Sequence, residues 1–135
     1  MRTIAAHLIA VFLASGCLMV GLGVVSGGME GGLDAFFGWV GEFLIFAIFA
    51  VASLPAGWAL RWVALKTLKP NPSNTMAVGV FVGLALIRVL HPAMRQDVMW
   101  STHGVALVLA HGLSGAFGGW VWWQIEKPYL SKFAA

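Results

Sequence analysis

Charge is what this chain has least of. Only 10% of its 135 residues are Asp, Glu, Lys or Arg, where a soluble domain carries about 25%. The hydrophobic fraction is 60%, with 17 glycines on top of it. A water-soluble fold of this length has no interior large enough to hide so much apolar surface, and a bilayer removes the need. Cysteine is almost missing as well. Cys17 stands alone, which excludes an intrachain disulfide and any cysteine-built metal motif. The net charge is +3 and the pI about 9.5, yet the cations are scattered with no basic run and no aromatic-interleaved patch. That excludes the footprint of a nucleic-acid binder. Also lacking are a Gly-x-Ser-x-Gly elbow, a phosphate loop and a His-rich metal box. Ser101-Thr102-His103 sets hydroxyls beside an imidazole, but sequence neighbours on a helix point in different directions. No catalytic residue and no metal site is expected, and the chain is read as a non-enzyme.

What is present is a set of long apolar stretches. Residues 1–135 read as a single transmembrane domain, an all-α integral membrane four-helix bundle with spans at about 4–25, 35–54 (extending to 65), 75–91 and 98–125. The first stretch has the look of a signal peptide. Arg2 precedes it and Ala14-Ser15-Gly16-Cys17 approximates a lipoprotein cleavage box. The apolar run continues to Val25, however, and a bilayer takes about 20 residues, so a retained helix is expected. Ser26–Asp34 is glycine-rich and acidic and reads as a flexible polar loop. From Ala35 to Leu65 an unbroken helix would measure about 46 Å, too long for a hydrocarbon core of about 30 Å. Pro55 resolves the excess as a kink or break, since proline suits a first helical turn. Pro55–Leu68 would follow, with Trp58, Arg61, Trp62, Lys66 and Lys69 near an interface. The loop 69–75 offers helix caps at Ser73 to Thr75, and Asp97 offers one for the last span.

Orientation follows from the cations. An N-in, C-in topology puts Arg2, Arg61, Lys66, Lys69, Lys127 and Lys132 inside, with only Arg88 and Arg95 outside. Tryptophans mark the same two levels: Trp39 and Trp100 at the outer ends, Trp58, Trp62, Trp120, Trp122 and Trp123 at the inner. The expected setting is a bacterial inner membrane with both termini cytoplasmic.

Within lipid, helices associate through small residues and interhelical hydrogen bonds. Ala106, Ala110, Ser114 and Gly118 recur every fourth residue, widened by Gly112, Gly115 and Gly119. Gly79 and Gly83 share that spacing, so spans three and four should pack closely. Among ionisable groups, Glu42 and Arg88 are placed at similar depth and are candidates for an ion pair or for proton coupling. The histidines invite a cofactor: by depth, His7 pairs with His111 and His91 with His103, each pair able in principle to ligate a haem. The run Val105-Ala106-Leu107-Val108-Leu109-Ala110-His111, followed by Trp120 and Trp122, resembles the pigment-ligating span of bacterial light-harvesting polypeptides. The resemblance is confined to that one helix. It would make His111 an axial ligand to bacteriochlorophyll. The expectation is otherwise no cofactor, with membrane lipids and other membrane subunits or further copies of the chain as partners. The functional reading is an accessory or assembly subunit, ahead of a small transporter or channel using Glu42 and of a haem or bacteriochlorophyll carrier using His111.

Overall fold

The computed structural model describes residues 2–69, 71–90 and 101–130. Every element among them is helical: α1 (Arg2–Gly41), α2 (Phe43–Ala52), α3 (Leu54–Thr67), α4 (Pro72–Leu90) and α5 (Thr102–Leu130). Three of them, α1, α4 and α5, are long and apolar enough to cross a membrane, and the bent pair α2–α3 makes a fourth if taken as one span.

α1 is folded back on itself. Gly27 (φ −138°, ψ 17°) and Gly28 (φ 64°, ψ −149°) leave helical geometry, and the arms on either side run antiparallel. Gly23 packs on Gly31, Gly32 on Val24, Trp39 on Gly16, and Phe12 on Phe43. The expected loop over Ser26–Asp34 therefore shrinks to two residues. Bare backbones at Gly23 and Gly31 let the helices close up immediately beyond the turn, so residues 29–34 stay helical. Gly28 needs its missing Cβ for conformation rather than space, because nothing lies within 4 Å of where one would stand. Gly28→Ala should cost about 1–3 kcal/mol of stability. Gly27→Ala, equally unobstructed and at negative φ, should cost far less. Reversible unfolding of the two variants checks the difference.

The Pro55 break stands where expected. α2 ends at Ala52, α3 begins at Leu54 with Pro55 in its first turn, and the two are bent by 49°. A second interruption, at Glu42, was not foreseen; it separates α1 from α2. α4 starts earlier than the Ser73–Thr75 caps imply. Asn71 is the cap, its Oδ1 accepting from the Asn74 amide at 2.7 Å, with Pro72 in the first helical position. α5 is capped by Ser101, whose Oγ accepts from the Gly104 amide at 3.1 Å. Asp97 lies outside the described residues.

Packing is inside out relative to a soluble domain. Ala6, Ala10, Gly16, Gly32, Ala50 and Gly83 are buried, while Phe37, Leu44, Ile48, Phe81, Val89 and Leu113 are each more than 60% exposed. Small residues inside and large apolar ones outside suit hydrocarbon as the solvent.

α5 is the central helix and uses two faces. Toward α4, the bare backbones of Gly79 and Gly115 meet, Gly83 meets the His111 carbonyl, and Gly119 meets that of Thr75. Toward α1, Gly118 meets Ala14 and Ala110 meets Gly21. Close packing of α4 and α5 is thus present, but the Ala110–Gly118 stripe serves α1. The glycines that seemed only to widen it, Gly115 and Gly119, carry the α4 crossing.

Candidate functional site

Rise along the helices fixes the level of each polar group. Phe12 lies between Trp39 and Phe43, tilted to the first and edge-on to the second, with ring centroids 4.7 and 5.0 Å away, and Ala14 lies against Gly118. Glu42 is therefore level with the region of Gly118, close to the middle of α5. It stands about 20 Å from the Gly27–Gly28 turn, deeper than a span beginning at Ala35 implied. On the far side of α5, the Gly83–His111 contact sets Arg88 level with about Ala106. The two ionisable groups are thus separated by about 18 Å along the bundle. Both are exposed, and no ion pair joins them. The expected Glu42–Arg88 couple does not form.

Among the described residues, the charged pair that does form is Arg61–Glu126. Nε and Nη2 of Arg61 both donate to Oε2 of Glu126, at 3.2 and 3.1 Å. Glu126 is 1% exposed, and its Oε1 is buried with no hydrogen-bond partner among the described residues. Sequence reasoning set Arg61 on the inner side and ended the last span at about residue 125, just before Glu126, without joining the two. A usable signal was present: Glu126 is the lone acidic residue among the cations assigned to that side.

The histidines separate. His7 Nε2 lies 2.9 Å from Ser53 Oγ. The single Ser53 hydroxyl proton is donated to the Ala50 carbonyl at 2.9 Å, so His7 Nε2 is the donor. Its ring also fills the space above Gly57 and shares a small cleft with Arg61 and Trp122. Trp122 lies about 16 Å along α5 from His111, so His7 and His111 do not approach one another. The misjudged level has a simple cause: the arms of α1 set their own register on α5 through Ala14 and Gly21, and span ends do not reveal it.

His111 is fully buried, with Nδ1–H donating to the Leu107 carbonyl at 2.9 Å. Ser114 Oγ donates to the His111 carbonyl at 3.0 Å. With α1 and α4 closed over this segment, a macrocycle reaches the imidazole only if the helices part. His103 is exposed and lines an open cleft of about 550 Å³ with Asp34, Met19, Leu22 and Leu107. Its expected partner His91 lies outside the described residues. No group of three or more potential metal ligands occurs among the described residues.

No family model matches the chain, and no curated protein or solved structure matches it. Function must be read from geometry.

Further hydrogen bonds tie the α1 arms together. Trp39 Nε1 donates to Ser15 Oγ at 3.1 Å while Ser15 donates to the Phe12 carbonyl at 2.6 Å. Trp39 was expected at an outer end of its span. It is instead half-buried, its ring lying over Gly16, because its helix begins at Met29 and carries it about 15 Å past the turn. Trp100 lies outside the described residues. Trp58 and Trp62 are exposed, and Lys66 Nζ sits 3.8 Å from the Trp62 ring centroid. Several polar groups of the long helices are thus occupied in holding them together. Glu42 is not. Its side chain is exposed and has no bonding partner among the described residues, and Gly38 and Gly41 beside it are open, with nothing within 4 Å of an added Cβ.

Proposed function

We propose that the chain is a non-catalytic subunit of a larger membrane assembly. It crosses a bacterial inner membrane four times, as residues 2–26, residues 29–52, α4 and α5, with both ends cytoplasmic. Supporting the membrane reading are the outward-facing large apolar side chains and the concentration of Arg and Lys on alternate connections. One observation carries the subunit reading. Glu42 stands near mid-depth, exposed and without a side-chain partner among the described residues. A carboxylate facing lipid at the bilayer centre costs about 2.5–3.5 kcal/mol even on the mildest scale. A neighbouring chain removes that cost by covering it.

The test is purification from native membranes in a mild detergent. A colourless particle, larger than one chain and of defined composition, is the expected result. A monomer defeats the proposal, and a Soret or near-infrared band would restore the cofactor reading at His111. The same Glu42 motivates a second reading, cation or proton coupling in a small transporter. That reading requires pH-dependent flux into liposomes by the protein alone, abolished by Glu42→Gln.

A further inference from the structure

The subunit proposal leaves open what covers Glu42, and the surface around it narrows the answer. Gly38 and Glu42 are one helical turn apart, Gly41 lies beside them, and Ile45 and Phe49 extend the same face at 61% and 44% exposure. Gly38 and Gly41 admit a neighbouring backbone to van der Waals distance. The Glu42 carboxylate calls for a cation there, since ionisable groups at such depth pair with one another.

Among its described residues, a second copy of the chain offers no cation that meets that demand. Rotation about the membrane normal, which relates subunits of a symmetric ring or dimer inserted the same way, leaves depth unchanged. The partner of Glu42 must therefore sit level with Glu42. Among the described residues, the cations closest in level fail on depth or on access. Arg88 is about 18 Å away along the bundle. Arg61 is spent on Glu126, and Lys66 belongs to the bent α3 beyond Ser53. His7 is engaged with Ser53, and His111 is fully buried.

We infer that the Gly38–Gly41–Glu42 face binds a transmembrane helix of a different protein, one that carries a Lys or Arg near its midpoint. This rests on the subunit reading above and deepens it. The basic side chain pairs with Glu42 while its helix backbone lies on the two glycines. Neither partner then exposes a charge to lipid, so pairing determines which chains assemble and at what register.

The probe is a synthetic poly-leucine transmembrane helix with one central lysine, titrated against the full-length protein in phosphatidylcholine vesicles and read by energy transfer. Controls are the same helix with central leucine, and with the lysine moved seven residues toward one end, about 10 Å. The central-lysine helix should bind at least tenfold more tightly than both controls. Glu42→Gln should erase that preference, and Gly38→Ile should weaken binding of all three helices. Equal binding of the three, or a preference that survives Glu42→Gln, overturns the inference. The native particle separates this from the broader proposal. A particle that keeps its size and composition in Glu42→Gln leaves the subunit reading standing and overturns the role of this face. A native species of two identical chains that dissolves in Glu42→Gln overturns the choice of a different protein as partner.

Discussion

Gly83→Leu should part α4 from α5 and cost about 3 kcal/mol or more. Overpacking a core ordinarily costs about 1–3 kcal/mol, with relief coming from side chains that shift. No such relief exists here. An added Cβ at Gly83 meets the His111 carbonyl, one at Gly79 meets Gly115 and one at Gly119 meets Thr75, all of them backbone. The whole helix must move, and moving it opens several glycine contacts together. Since a domain retains only about 5–15 kcal/mol of net stability, such a loss is a large share of it. The matched control is Gly38→Ala, also helical but with nothing within 4 Å of an added Cβ. It should be neutral or gain about 0.5–1 kcal/mol from helix propensity. Unfolding of both variants in mixed micelles supplies the comparison, and equal stabilities would refute the proposed crossing.

Arg61→Met should be nearly as damaging, for an electrostatic reason. It leaves the Glu126 carboxylate buried without its cation, a situation that costs about 3–5 kcal/mol. Glu126→Gln should cost less, because the Arg61 side chain retains 20% exposure and its guanidinium can turn toward water. Removing both charges, as Arg61→Met with Glu126→Leu, should recover most of the loss. A double-mutant cycle should then give a coupling of about 2 kcal/mol or more. Additive single effects would mean that the pair contributes nothing to joining α3 to α5.

These two contacts also mark the boundary of what the sequence reveals. Gly79 and Gly83 were legible because small residues four apart have few uses except close approach. Pro55 was legible because its ring is incompatible with a continuing ladder. The antiparallel fold of α1 was only half legible: Gly27-Gly28 signalled a turn, but its shortness depends on Gly23 meeting Gly31 across it. The Glu42–Arg88 pair was expected and did not form, and the Arg61–Glu126 pair was not foreseen. Depth counted from an assumed span end carries the error of that end, and Met29 rather than Ala35 begins the second arm. Which side of a helix faces a neighbour depends further on rotation, which apolar patterning does not record when every face is apolar. Thus His7 found Ser53 and Gly57 rather than His111.

The central claim is the location of residue 42: midway through a bilayer, on the outside of the bundle. In a Cys17→Ser background, spin labels at positions 42, 44 and 30 of the vesicle-embedded protein measure it through relaxation by oxygen and by a water-soluble nickel complex. Oxygen concentrates at the bilayer centre and the nickel complex stays in water. Labels at 42 and 44 should respond strongly to oxygen and hardly to nickel, with the reverse at 30, next to the Gly27–Gly28 turn. Strong nickel relaxation at 42, or a label there that neither reagent reaches, would contradict the account.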